Sequence, residues 1–162
     1  MLLGQAQAQL RSTRGGYPDC AGQGPTSRVM AAGEPRVAAI VLTWNGRELL
    51  GPCLSSLARS TYANLQTIVV DNGSVDGSCD YVTSAFPEVV LLRNEQNLGF
   101  CQGNNVGLRY AMEDGADYLF LLNNDALVDP ACLHNLVAAA ESDPGIGVVG
   151  PKIYAYDRPG TV

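Results

Sequence analysis

From residue 37 onward, short unbroken apolar runs alternate with stretches in which apolar residues recur every three or four positions. The runs at 37–43, 65–70, 88–92, 117–122 and 146–149 have the length of strands, and the continuous apolar character of the first and fourth predicts parallel strands buried on both faces. The fourth carries Tyr118, Leu119, Phe120, Leu121 and Leu122 in succession and is placed in the middle of the sheet. Between the runs the spacing predicts helices. The first spans 48–60, with Leu49, Leu50, Cys53, Leu54 and Leu57 at helical intervals and Pro52 in its first turn. The second spans 76–86, with Asp76 or Ser78 as cap. A third runs out of 94–105 to about residue 115, and its Gly103, Gly107 and Ala111, four apart, give a smooth face for close packing on the sheet. The last spans 130–142, with Pro130 near its start.

Strands alternating with helices predict an α/β fold, a Rossmann-like, mostly parallel sheet with helices on both faces. In such a sheet the carboxyl ends of the parallel strands share one edge, where ligands bind. At that edge stand Trp44 and Asn45, Asp71, Asn97, and Asn123, Asn124 and Asp125. Asn124 and Asp125 suit a turn as well as a ligand. A carboxylate at this place pairs naturally with a hard divalent cation, Mg or Mn, shared with phosphates.

Composition narrows the partners. The chain has 162 residues, the size of one domain, with 46% hydrophobic and 16% charged residues. A net charge of -6 and the lack of a basic stripe argue against nucleic acid. A phosphate-bearing ligand would need a metal or backbone amides to offset the repulsion. Five cysteines, odd in number and without a CxxC pair, indicate neither a disulfide framework nor a zinc site. No apolar run reaches membrane-spanning length and the start lacks the core of a secretory signal, so the expected location is cytoplasmic, free or peripheral at the inner face of the membrane. Residues 1–35, rich in Gln, Gly, Ser, Pro and Arg, are expected to be a disordered or non-native leader, with Met30 as a candidate true start and 36–162 as the folded domain. His134, the one histidine, has no triad partner nearby and is given no catalytic role.

Four ordered stretches carry a resemblance. VLTWNG on the first strand, TYANLQTIVVDNGSVDGS across the second, NEQNLGFCQGNNVGL after the third and LLNNDALVDP after the fourth resemble family 2 glycosyltransferases of the GT-A fold. Within that family the chain is similar to the rhamnosyltransferase-like branch of cell-surface polysaccharide assembly, and to its nucleotide-sugar-binding half. The resemblance implies that Asp71 accepts hydrogen bonds from the nucleotide base, which suits the imide of uridine or thymidine; a turn cap at Asn72-Gly73 is the alternative. Asp125 matches the last residue of the family's DxD metal motif, while Asn123 departs from it by bringing an amide in place of a charge. Thr43, Trp44, Asn45, Asn97, Gly99, Asn105, Asn123 and Asn124 fall at nucleotide-binding positions, although Trp44 serves equally as core. Gly103 and Gly107 read better as close helix packing.

The implied reaction moves a sugar, with inversion, from a nucleotide-diphosphate sugar to a saccharide or lipid-linked acceptor. The base expected for the acceptor hydroxyl lies beyond Val162, so the fold is expected to be incomplete at its carboxyl end and the chain itself to bind donor poorly and turn over none. A non-catalytic nucleotide-sugar-binding fragment is the rival reading. A nucleotidyltransferase fits less well, because Trp44-Asn45-Gly46-Arg47-Glu48 offers one glycine and one arginine where a glycine-rich basic loop is needed.

Overall fold

The computed structural model describes residues 33–156; the expected leader up to residue 32, including Met30, and residues 157–162 lie outside them. The described chain alternates throughout: β1 (Val37–Thr43), α1 (Arg47–Ala58), β2 (Leu65–Asp71), α2 (Ser78–Ala85), β3 (Val90–Arg93), α3 (Gly99–Glu113), β4 (Tyr118–Asn123) and α4 (Cys132–Glu141). The strands form a parallel sheet in the order β3-β2-β1-β4. The chain steps outward from β1 to β3 and then returns to β4 on the other side of β1. The order therefore reverses between β1 and β4, which opens a crevice at their carboxyl ends.

The unbroken apolar run of β1 fits its central place, since both its faces are covered. On one face Ala39, Val41 and Val69 pack against Leu50, Cys53, Leu54 and Leu57 of α1 and Val82 of α2. Leu133 of α4 extends that layer over Val37 and Tyr62. Burying each such leucine contributes about 1.5–3 kcal/mol before the entropy of ordering is counted. On the other face Ala38, Ile40, Ile68 and Val70 meet Ala111 of α3. The glycines bring α3 down onto the sheet: a Cβ on Gly107 would lie 2.7 Å from Ile40 Cγ2 and 2.9 Å from Val70 Cγ2.

Several expectations need correction. β4 lies at the edge of the four strands and not in the middle, and its residues alternate in exposure. Tyr118 and Phe120 face the layer beneath α4, whereas α3 sits over β1 and β2, which leaves Leu119 37% and Leu121 50% exposed. Residues 146–149 form no strand; after the Asp143 carboxylate turns back onto the Gly145 N–H at 2.8 Å, this glycine-rich stretch stays off the sheet and exposed. Pro52 lies in the second turn of α1 and not the first, because the Gly46 carbonyl already accepts the Leu49 and Leu50 amides. It is exposed there, on the solvent side of the helix. Gly77, with φ 83°, is the cap position of α2, and Asp76 serves from one residue earlier by accepting the Ser78 N–H at 3.0 Å. α4 begins at Cys132 and leaves Pro130 in the preceding turn, where Asp129 accepts the Ala131 N–H.

Candidate functional site

The sheet brings the sequence-predicted positions to one edge. Register sets Thr43 beside Asp71 and Leu42 beside Asn123. Past the end of β1 the backbone turns through Asn45, whose φ of 50° is in the left-handed region that Asn tolerates. Two reciprocal bonds clasp this turn to the loop after β2: the Asn45 N–H donates to Ser74 Oγ at 2.8 Å, and the Val75 N–H donates to Asn45 Oδ1 at 2.9 Å. A third, from the Arg47 N–H to the Asp76 carboxylate at 3.0 Å, extends the clasp to the start of α1. The Arg47 guanidinium lies over the Tyr81 ring, 4.5 Å from its centroid. Trp44 projects from the turn at 56% exposure, so it is no part of the core.

Asp71 is 2% exposed at the end of β2. Its Oδ2 accepts the Gly73 and Ser74 amides at 3.2 and 2.9 Å, which is the turn-capping role. Its Oδ1 is buried without a hydrogen-bond partner. A buried carboxylate oxygen left unpaired is costly, and such an atom marks a place where a ligand donor fits. Cys79 stands close by; burial, with the Asp71 carboxylate adding to it, pushes its thiol up to about 11.

The loop between β3 and α3 flanks this carboxylate. Gly73, at φ 80°, passes so near that a Cβ would lie 2.9 Å from the Gln96 Cα. Asn97 Oδ1 accepts the Gly99 N–H at 2.8 Å, and Gly99 takes φ 77° to turn the chain into α3. A Cβ there would meet nothing, so this glycine is required by its backbone angle and not by contact with protein. Asn105 is exposed on α3, and Leu98 at the cap position of that helix offers no side-chain hydrogen bond, so the side chain that meets its first amide is that of Asn97.

Across the crevice, Asn124 Nδ2 donates to Thr43 Oγ1 at 3.1 Å and ties β4 to β1 at the point where the strand order reverses. Gly46 makes this possible, since a Cβ on it would lie 2.4 Å from Asn124 Nδ2. Asn123 and Asp125 are exposed in a tight turn closed by the Ala126 N–H on the Asn123 carbonyl at 3.1 Å. Asp125 lines a cavity of ≈ 250 Å³ with Glu48, Leu49, Pro52, Cys53, Leu127 and Tyr156. Burial first, and Asp125 second, raise the Cys53 thiol to about 12, so it stays protonated. A larger cavity of ≈ 570 Å³ lies at the opposite edge among Glu34, Asp117 and Glu141, whose charges would repel phosphate.

Among the described residues no group of three or more His, Cys, Asp or Glu is set to hold a metal by itself. One carboxylate with neighbouring amide oxygens still suits a hard cation that takes its other ligands from phosphates and water. The donor set at Asp125 therefore fits a divalent ion brought with a diphosphate, and does not fit a protein-only cage.

Sequence reading alone missed Asn72, Gly46 and Ser74. A cluster of amides at Asn72, Asn94 and Asn97 was the available signal for the first.

Comparison with known proteins agrees with this geometry. The family profile described as Glycosyl transferase family 2 matches residues 38–161. Glycosyltransferase GlyG of Streptococcus pneumoniae serotype 4 is 27% identical over 125 residues, covering 75% of this chain and 40% of that protein. The N-acetylglucosaminyl-diphospho-decaprenol L-rhamnosyltransferase of Mycobacterium tuberculosis is 27% identical over 122 residues, covering 70% and 40%. Among solved structures, the mannosyltransferase PcManGT from Pyrobaculum calidifontis, in complex with GDP-Man and Mn2+, gives a TM-score of 0.63 at 28% identity, over 90% of this chain and 41% of that one. S. aureus TarS 1-349 in complex with UDP-GlcNAc gives 0.59 at 21% identity, over 71% and 37%. The chain thus spans about two fifths of the length of these proteins.

Proposed function

We propose that this chain, which belongs to glycosyl transferase family 2, supplies the donor site of an enzyme that moves a sugar from a nucleotide-diphosphate sugar to a saccharide or lipid-linked acceptor in cell-surface polysaccharide synthesis. Its fold is the GT-A fold expected from the sequence. The observation that carries the proposal is the Asp71 Oδ1, buried and unpartnered at the carboxyl edge of the sheet.

In this reading the Asp71 Oδ1 accepts an imide N–H of the base, while Oδ2 stays bound to the Gly73 and Ser74 amides and holds the carboxylate in place. Thr43, Trp44 and Asn45 border the base on one side. Asn97, Gly99 and Asn105 line the other, where the amino end of α3 favours the anionic diphosphate. Asn123, Asn124 and Asp125 stand across the switch point, and Asp125, with the diphosphate, would hold Mg2+ or Mn2+. The cation, when bound, neutralises charge on the departing diphosphate. The acceptor hydroxyl needs a general base, which is assigned to no residue of 33–156. Inversion at the anomeric carbon follows if that base and the diphosphate lie on opposite faces of the sugar. Among the described residues no helix is long and apolar enough to cross a membrane, and a site at the inner membrane face suits a lipid-linked acceptor.

Uridine or thymidine is the favoured base, since the imide N–H is its single strong donor beside the ring carbonyls. Guanine is the second reading, because the mannosyltransferase holds GDP-Man and guanine also carries a ring N–H, that of its lactam. The test is calorimetric titration of the chain with UDP, dTDP, GDP, CDP and ADP in the presence of Mg2+. Bases with a ring N–H on the pairing edge, uracil, thymine and guanine, should bind about tenfold tighter than cytosine or adenine, and Asp71→Asn should erase that preference. Equal binding of all five, or an unchanged preference in Asp71→Asn, would remove Asp71 from the base.

A further inference from the structure

Asn72 follows Asp71 in sequence yet projects to the other face of the sheet, and its amide uses every hydrogen-bonding position it has. Nδ2 donates to Asn97 Oδ1 at 3.0 Å and to the Gly99 carbonyl at 3.2 Å. Oδ1 accepts from Asn94 Nδ2 at 2.9 Å and from the Leu98 N–H at 3.3 Å. Backbone partners fix the orientation of the group, since the Leu98 N–H can only donate and the Gly99 carbonyl can only accept. The side chain is 2% exposed. Gly103 makes room for it: a Cβ there would lie 3.0 Å from Asn72 Nδ2.

All four bonds reach the segment 94–99, none of them local, so together they fasten the β3–α3 loop and the first residue of α3 to the end of β2. We infer that Asn72 is a positioning residue of the donor site, which holds Asn97 and Gly99 at a fixed distance from the base-accepting carboxylate beside it. The inference rests on the donor reading of the preceding subsection and adds to it the element that keeps the two walls of the pocket in register.

The chemistry is specific to an amide. An ionised Asp of the same shape has no donor and would set its charge against Asn97 Oδ1 and the Gly99 carbonyl. Ala would leave four groups to find other partners. Both changes free the loop, and Asp also repels it.

The experiment uses the 162-residue chain in three forms, wild type, Asn72→Asp and Asn72→Ala, with amide hydrogen exchange followed by NMR and titration with UDP and Mg2+. In both variants the Leu98 and Gly99 amides should exchange about tenfold faster or more, while Ile40 and Val41 in β1 keep wild-type protection. UDP affinity should fall about tenfold, further for Asp than for Ala. Should either variant lose the β1 protection as well, Asn94→Ala, which removes one of the four bonds, should give the same pattern at smaller size. Unchanged exchange at 98–99, or a loosened loop with unchanged UDP affinity, would overturn the assignment. No binding of UDP or GDP by the wild type would bring down the donor reading itself and this role with it, a result distinct from binding that ignores Asn72.

Discussion

Asp71 ends β2 and Asp125 stands just past β4, but their surroundings separate their chemistry. The first is buried with one oxygen spent on the turn and one left over, so it suits a neutral donor that arrives without water. The second is exposed beside a cavity, so it suits a hydrated cation. That both carboxylates fall at strand ends was legible in the sequence; the difference in their burial was not, and their separate roles came from the family resemblance. Asn72 was hard to read, because Asp-Asn-Gly-Ser matches a local turn and, apart from the amides at Asn94 and Asn97, nothing distinguishes an Asn that bonds its own loop from one that bonds a loop over twenty residues away. Trp44 likewise could be core or platform by composition, and its exposure excludes the core. A residue-level prediction concerns the thiols. With its thiol raised to about 12, Cys53 should resist iodoacetamide at pH 8 in the folded chain while exposed Cys101 is alkylated, as read by peptide mass spectrometry. Modification of Cys53 at the rate of Cys101 would show that the cavity beside Asp125 opens far more than its packing indicates.

Among the elements, β1, β2 and α1 were readable from period alone, because most of their apolar positions are covered by a neighbour, Leu49 of α1 being the exception at 46% exposure. β4 and residues 146–149 were misread for one reason: an apolar run reports what a segment can bury, and not whether another element covers it. Leu119 and Leu121 are as apolar as Phe120, yet α3 lies over β1 and β2 and stops short of them. The placement of α3 gives a signed prediction. Gly→Ala inside an exposed helix stabilises by about 1 kcal/mol, but at Gly107 the added methyl meets Ile40 and Val70 below contact distance. Gly107→Ala should therefore destabilise the chain by about 1–3 kcal/mol in urea denaturation; a gain in stability would mean that α3 rides higher on the sheet.

The clasp between the first two loops gives a pH dependence. The Ser78 hydroxyl, then the Arg47 and Ser78 amides, hold the Asp76 carboxyl below its ordinary value of 3.8, against a smaller opposing effect of burial. A group depressed in the folded state contributes stability that is present above its unfolded pKa and is lost as pH falls through the lower folded value. The stability difference between wild type and Asp76→Asn should thus be constant from pH 5 to 7 and shrink below 3.8. A difference that widened on acidification would reverse the assigned sign.

For the molecule as a whole, four loops far apart in sequence reach one edge because parallel strands alternating with helices leave their carboxyl ends together. That convergence could be inferred before any coordinates, since it follows from topology; the side on which β4 returns, and hence the switch point bridged by Asn124 and Thr43, could not. The central claim is that a diphosphate spans this crevice from the Asp71 side to a cation at Asp125. It is tested most directly by titrating UDP into wild type and Asp125→Ala, each with and without Mg2+. Mg2+ should tighten UDP binding to wild type by about tenfold or more, Asp125→Ala should lose this gain, and both chains should melt within about 2–4 °C of each other because an exposed turn residue carries little of the core. Equal Mg2+ dependence in the two chains would contradict it.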